Sequence, residues 1–447
     1  MFLKVLVANR GEIAVRIIRA CKEMGISTVA VHSLADANSL HVSLADESIC
    51  IGGNSVRESY LNINAILSAG ICSGADAIHP GYGLLSENAH FADLCEKCNF
   101  TFIGPTAEVM RRMGDKEKAK KAMLEAGVPV VPGSDVIENA ADAKKEALRI
   151  GFPILCKARS GGGGRGIRLV TEADKFEAAF QAASAEAKTA FGDDGIYLEK
   201  YIKPAKHIEV QLLCDHFGNC VSLGERECSV QRKNQKLIEE SPSPSVSEAL
   251  RKELIETSVR AAKEIGYRNA GTIEYILDHN GNFYFMEMNT RLQVEHPVTE
   301  MIAGIDIVKW QIRISSDVPL HFTQDDVRFT GHSIECRINS ENPYDNFCPS
   351  CGEITVLHIP GGPWVRFDSA VYQGYAVPPF YDSMIGKLIV HAASREEAIR
   401  KMQASLCELI IEGVHSNIDF HIELLEHPDF VNGSYCTDIL SAFLPHA

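Results

Sequence analysis

Alternate positions from Glu287 to Glu295 carry a carboxylate, an amide, a guanidinium, an amide and a carboxylate: Glu287, Asn289, Arg291, Gln293 and Glu295. They follow an apolar run, 282–286, that is bounded by a turn and reads as a buried strand. Side chains on an extended chain alternate faces, so these five are expected on one side if the chain stays extended. Carboxylate and amide oxygens suit magnesium, a hard cation that shares oxygen ligands with phosphate. A guanidinium matches a planar oxyanion such as bicarbonate or a carboxylate through a two-pronged fork. A solvated polar strand or a structural ion-pair ladder has the same composition. The apolar strand leading into the stretch argues for ions or substrates, because buried charge is costly without them.

Other residues point to phosphate. Gly161-Gly162-Gly163-Gly164-Arg165-Gly166 follows an expected strand at 153–158. Glycines let backbone N–H groups approach a phosphate closely and adopt positive φ. The run lacks the G-K-[ST] ending of a P-loop, and no G-x-G-x-x-G follows the first strand. Lys116 and Lys157 are isolated cations that would otherwise be solvated surface charges. Glu274 lies in a strand-like run, 271–275, where a buried carboxylate needs a partner.

The elements that must position these groups alternate. Residues 4–8 read as a strand, 12–23 as an amphipathic helix closed by Gly25, and 28–32 as another strand. This alternation predicts a parallel sheet with crossover helices. A helix is expected over 88–98, and Asp115 caps another that runs to Ala126. A long helix is expected near 248–265. Ser394 and Glu397 form a capping-box pattern for a helix ending near Gly413. No internal repeat or low-complexity tract stands out.

Composition limits the functions. The 447 residues are enough for two to four domains, and the net charge of −15 disfavours nucleic acid and anionic membrane as partners. Lys4, Arg10 and Glu12 interrupt any apolar leader, and no stretch is apolar enough to span a bilayer, so a cytoplasmic location is expected. The fourteen cysteines are then expected as free thiols. Two C-x-x-C pairs, Cys95/Cys98 and Cys348/Cys351, lack companion ligands for zinc.

The motifs together resemble the biotin carboxylase family of ATP-grasp enzymes. The resemblance covers effectively the whole chain. It runs from Asn9-Arg10-Gly11-Glu12 through His79-Pro80-Gly81-Tyr82-Gly83, Met113-Gly114-Asp115-Lys116, Lys157 with the glycine run, and Glu227-Cys228-Ser229-Val230-Gln231-Arg232. It continues through 287–297, Glu335-Cys336-Arg337-Ile338-Asn339 and 381–387. Any one motif could mislead; the ordered set is specific.

The family implies an α/β fold, α+β overall. It has an N-terminal doubly wound parallel-sheet domain (1–103), a linker (104–129), an ATP-grasp lid (130–201), and a mixed α/β core and C-terminal domain (202–447). It implies ATP bound by Lys116, Lys157, Gly163, Gly164, Glu199, Lys200, Ile202, His207, Gln231, Asn234, Glu274 and Glu287. Asn234 and Arg159 depart from the family pattern, which commonly has histidine and a small residue there. Magnesium (or manganese) would be held by Glu274, Glu287 and Asn289. Bicarbonate would sit on Lys236, Arg291, Gln293 and the Val294 backbone, and biotin on Tyr82, Gly83 and Arg337. Arg291, Glu295, Lys236 and Arg337 are the implied catalytic residues. Arg337 would stabilise the biotin enolate, or else serve as a structural arginine paired with Glu335 or another acid. Glu295 would be the general base, or else a salt-bridge partner orienting Arg291.

The implied reaction is the first half-reaction of acetyl-CoA carboxylase. ATP and bicarbonate would carboxylate biotin on a separate biotin carboxyl carrier protein, since no Met-Lys-Met motif appears before Ala447. Carboxyltransferase subunits would be further partners, and a homodimer is expected with Arg19, Glu23 and Arg366 at its interface. Three rivals remain: a subunit of another acyl-CoA or pyruvate carboxylase, a carboxylate–amine ligase of the same superfamily, and a nonenzymatic ATP-binding scaffold.

Overall fold

A computed structural model describes residues 1–137, 139–159 and 166–443. The glycine-run residues 161–164, with the nucleotide positions Gly163 and Gly164, lie outside the described residues, as do Ser160, Arg165 and Ala447. The chain forms two compact units. The first holds Met1–Val128, Lys206–Tyr275 and the chain from Glu287 onward; the second holds Pro129–Ala205 and Ile276–Met286.

The first unit begins with a parallel sheet. Its strands are β1 (Lys4–Val7), β2 (Ser27–Ser33), β3 (Glu47–Gly52), β4 (Ala77–His79) and β5 (Thr101–Phe102), in the order β3-β2-β1-β4-β5. The order reverses around β1, as in doubly wound sheets. The helix Gly11–Glu23 buries Ile13, Ala14, Ile17, Ile18 and Cys21, one stripe at helical spacing. It ends where Gly25 takes φ +72° and lets the Ile26 N–H return to the Cys21 carbonyl at 2.9 Å. Residues 104–129, read as a linker, contain two helices, Ala107–Gly114 and Lys116–Glu125. Asp115 caps the second by accepting from the Glu117 and Lys118 N–H groups, both at 3.2 Å.

In the second unit, β6 (Ile154–Ala158), β7 (Ile167–Val170) and β8 (Ile196–Lys200) form an antiparallel sheet in the order β7-β6-β8. The helices Ala140–Ile150 and Phe176–Phe191 contribute Ala143, Ala147, Phe176 and Phe180 to a core with Ile154 and Leu198. Arg159 forks onto Asp193 at 2.9 and 2.7 Å, so its side chain has a structural partner within this unit.

An eight-stranded sheet holds His207, Gln231, Lys236, Glu274, Glu287, Asn289 and Arg337. Its strands are β9 (Ala205–Cys214), β10 (Cys220–Arg232), β11 (Gln235–Ser241), β12 (Asn269–Asp278), β13 (Phe283–Asn289), β14 (His332–Asn339), β15 (Val365–Ser369) and β16 (Met384–Ala392). Their order is β13-β12-β9-β10-β11-β14-β16-β15. The long helix is Glu248–Glu264, capped by Ser247. The late helix is Arg395–Glu408, so it stops short of Gly413. Buried Leu409 turns extended, and Ile410–Glu412 pairs antiparallel with Val356–His358. A partner strand overrides the helical pattern there.

Glu240 of β11 anchors the C-terminal segments. It is fully buried and accepts from Arg395 at 2.7 and 2.9 Å and from the Tyr435 hydroxyl at 2.5 Å; His332 lies 2.5 Å away. Burial alone would raise its pKa, but His332 and Arg395 pull it down to about 2. A depressed carboxylate contributes stability that is full above its ordinary value of 4.5 and is lost as pH falls through about 2. The expected contribution is on the order of 3 kcal/mol. Glu240→Gln should therefore flatten the acid limb of stability measured by urea titration between those pH values. A variant as acid-sensitive as its parent would remove Glu240 from this role.

Cys95 is buried, its thiol pushed up to about 12 by burial, whereas Cys348 and Cys351 are exposed. Neither C-x-x-C pair enters a cluster of potential metal ligands among the described residues. No helix among them is long and apolar enough to cross a membrane.

Candidate active site

Strand alternation and a bulge in β11 assemble the site. On β9, His207, Glu209 and Gln211 share a face; Arg226 of β10 stands directly opposite Glu209. Arg226 is fully buried. It donates to Glu209 at 3.1 and 2.9 Å, Gln211 at 2.8 Å, Thr299 at 3.0 Å and Thr272 at 3.2 Å. Between β10 and β11 the register runs Val230–Ile238 and then Gln231–Lys236, so Leu237 is an extra residue, a bulge. Without it Lys236 and Glu239, three apart, would point to opposite faces. With it both meet the same cluster.

Lys236 is the hub of that cluster. Its ammonium donates to Glu209, to Glu274 at 3.2 Å and to Glu295 at 2.7 Å. Arg337 of β14 donates to Glu239 at 2.6 Å and to Glu295 at 2.9 Å. Glu295, 0% exposed, is thus gripped by two cations. Burial would raise its carboxyl, but Lys236, Arg337 and Arg226 hold it well below the usual range. For Lys236, burial works against the charge and is outweighed by Glu274 and Glu295, so the ammonium is held charged. The sequence left open whether Glu295 orients Arg291. It pairs with Lys236 and Arg337 instead, and Arg337 pairs with Glu239 and Glu295, not Glu335.

The expected extended run stops early. β13 ends at Asn289, the chain bends at Arg291, and Val294 and Glu295 form a turn into the helix His296–Ala303. Arg291, Gln293 and Glu295 therefore do not share a strand face with Glu287 and Asn289. A turn brings Glu295 to Lys236, with Pro297 near the start of the following helix. Arg291 donates to Glu87 at 2.9 Å, the Gln293 side-chain oxygen at 2.7 Å and the Asn289 oxygen at 2.9 Å. The Val294 carbonyl accepts from Lys387 at 2.7 Å. Lys387, fully buried on β16, also pairs with Glu12 at 3.1 Å, and Glu12 accepts from the Tyr82 hydroxyl. Gly81 takes φ +65° there, and a Cβ on it would lie 2.8 Å from the Asn9 amide nitrogen that donates to the Pro80 and Tyr82 carbonyls. Gly83 is exposed at φ +63°.

The two carboxylates expected to bind metal sit in contrasting surroundings. Glu274 receives hydrogen bonds from Asn289 at 2.8 Å and Gln293 at 3.0 Å, and lies 3.0 Å from His207. Burial would raise it, but Lys236 and His207 hold it well below the usual range. Glu287 behaves oppositely: the atoms crowding it and the negative Glu274 raise its carboxyl, while Lys116 pulls the other way. Two carboxylates that repel each other beside an amide suit a hard divalent cation, so the donor set fits magnesium.

The remaining nucleotide positions are divided between the two units. Gln231 lies 3.4 Å from His207. Asn234 is exposed in the two-residue β10–β11 turn, where Lys233 and Asn234 take φ +48° and +66°. Asparagine tolerates that conformation, which gives the departure at 234 a conformational reason. In the second unit Lys157 pairs with Glu199, Lys200 donates to the Gly151 and Phe152 carbonyls at 2.9 Å each, and Ile202 follows β8 half-buried.

Sequence reasoning missed Glu87, Glu239, Arg226 and Lys387. Only Lys387 stood within a quoted motif.

Comparison with known proteins gives the geometry its context. Residues 1–110 match the family model "Biotin carboxylase, N-terminal domain", 115–323 match "Carbamoyl-phosphate synthase L chain, ATP binding domain", and 335–442 match "Biotin carboxylase C-terminal domain". Biotin carboxylase from Haemophilus influenzae is 56% identical over 97% of both chains. The structure of a Campylobacter jejuni biotin carboxylase in a nucleotide complex is 51% identical over 99% of both chains, with a TM-score of 0.93. The biotin carboxylase domain dimer of Hydrogenobacter thermophilus 2-oxoglutarate carboxylase, solved with MgADP, ADP and bicarbonate, is 50% identical. It matches over 100% of this chain and 98% of its own, with a TM-score of 0.93. Fold and matches together define an ATP-grasp ligase. The chain belongs to the biotin carboxylase family. Its reaction is the ATP-dependent carboxylation of biotin.

Proposed function

We propose that the cluster around Glu295 is where ATP phosphorylates bicarbonate and biotin is then carboxylated, as the first half-reaction of acetyl-CoA carboxylase. The observation that carries this is Glu295 itself, a buried carboxylate kept ionised between Lys236 and Arg337. Bicarbonate is a poor nucleophile until it loses its proton, and Glu295 is in the form that accepts one. Bicarbonate held by Arg291, Gln293, the Val294 backbone and Lys236 would draw Lys236 toward its own charge. Glu295 would then be gripped less tightly and its affinity for the proton would rise.

Glu274, Glu287 and Asn289 would hold magnesium, which when bound offsets charge on the transferring phosphate. Lys116, Lys157, Glu199, Lys200, Ile202, His207, Gln231 and Asn234 serve the nucleotide in this reading, and 130–201 serves as its lid. Carboxyphosphate breaks into CO2 and phosphate, and phosphate takes the ureido proton of biotin. Arg337 stabilises the oxyanion that results, with Tyr82 and Gly83 against biotin.

The partners are a biotin carboxyl carrier protein and carboxyltransferase subunits in the cytoplasm, and the enzyme is a homodimer. Arg19 is exposed, whereas Glu23 pairs with Lys309 at 2.5 Å and Arg366 with Glu300 at 2.7 Å. A second reading, service to a different acceptor, draws support from the 2-oxoglutarate carboxylase relative. The acceptor would be set by the carboxyltransferase partner.

The test is ADP release with magnesium-ATP, with and without bicarbonate and free biotin. Bicarbonate-dependent release that biotin accelerates, with carboxybiotin formed, is the expected result. No response in protein that binds ATP would overturn the reading. Sedimentation is recorded on the same sample, since a monomer that turns over would remove the dimer from it.

A further inference from the structure

The β9–β10 hairpin carries a pair of cysteines remote in role from the site. Cys214 and Cys220 stand directly opposite each other in the antiparallel register. The Asp215 N–H donates to the Asn219 carbonyl at 2.9 Å, which marks that couple as a hydrogen-bonded pair. The next couple, Cys214 and Cys220, is then a non-hydrogen-bonded pair, the closer of the two kinds, with Cα atoms typically about 4.5 Å apart. That spacing falls within the range of about 4.4–6.8 Å that a disulfide spans. The two sulfurs lie 2.6 Å apart, so a small side-chain adjustment brings them to the disulfide length of about 2.05 Å.

Access is one-sided. Cys220 is 8% exposed and lines an open cavity of about 780 Å³, which also presents Arg260, Lys263 and His321. Cys214, 2% exposed, does not line it. We propose that Cys214 and Cys220 are a dithiol modification site, which hydroperoxides entering this cavity oxidise to an intrachain disulfide. The Cys220 sulfur attacks one oxygen of hydrogen peroxide, the O–O bond breaks, one water leaves and a sulfenic acid forms. The Cys214 sulfur attacks that sulfur, the S–O bond breaks and a second water leaves. The two thiols together lose two electrons and two protons, and the peroxide takes both. Burial pushes the Cys214 thiol well up, which disfavours it as the thiol that meets the peroxide first.

The test treats the full-length protein with hydrogen peroxide, alkylates the remaining thiols and maps peptides by mass. The expected result is the segment containing both cysteines lighter by two hydrogens and closed to alkylation, reopened by a dithiol reductant. Cys214→Ser should stop at a sulfenic acid on Cys220, trapped by dimedone. The exposed Cys50, Cys72 and Cys348 report that oxidant was sufficient. If they are oxidised while Cys214 and Cys220 both remain alkylatable, or if either bonds to a different cysteine, the proposal fails. The mapping of the unmodified sequence decides this even if the serine variant does not fold.

Discussion

Glu295→Gln should abolish bicarbonate-dependent ATP cleavage while leaving nucleotide affinity nearly intact. The amide is close in size, so the turn at Val294 and Glu295 should keep its shape. It cannot take a proton from bicarbonate, and it withdraws the negative charge that Lys236 and Arg337 share. Loss of a positioned base costs about a hundredfold to ten-thousandfold in rate. Turnover measured as ADP release should fall within that range. ATP binding, followed calorimetrically, should move by less than about threefold, or about 0.7 kcal/mol. Unchanged turnover would take Glu295 out of the base role and leave it as an ion-pair partner.

Arg337→Ala should separate the two halves of the reaction. The guanidinium bridges Glu239 and Glu295, and its removal leaves Glu239 without its principal counter-charge. Burial already raises the Glu239 carboxyl, so in the variant it should simply protonate. The fold is therefore expected to survive. Biotin carboxylation should fall by about a hundredfold to a thousandfold, the scale on which a single oxyanion-stabilising donor acts. Bicarbonate-dependent ATP cleavage without biotin should fall far less, because Lys236 still holds Glu295. Equal losses in both assays would make Arg337 a structural residue.

Much of this site was legible in the chain, and the reasons it was not wholly so are physical. That Glu274, Glu287 and Asn289 lie on strands was readable from their apolar surroundings and strand periodicity. Asp115, Gly25 and Ser394 were readable because caps are local. The extended path through Arg291, Gln293 and Glu295 was misjudged, because polar alternation alone does not say where a strand ends. Glu87 reaches Arg291 from 204 residues away, a pairing no local pattern encodes. The bulge at Leu237 leaves no signature of its own, yet it decides where Lys236 points. Asn234 departs from the family pattern, and the turn geometry supplies its own reason for asparagine.

The buried Lys387 joins residues from both ends of the chain: Glu12 on the first helix and the Val294 carbonyl beside the proposed base. During synthesis, a ribosome that has made every residue of the Glu295 cluster up to Arg337 still has the strand bearing Lys387 to make. Until that strand docks, the turn lacks the cation that receives its carbonyl, and Glu12 lacks its counter-charge. A nascent or truncated chain is thus barred from organising the turn as the finished protein does.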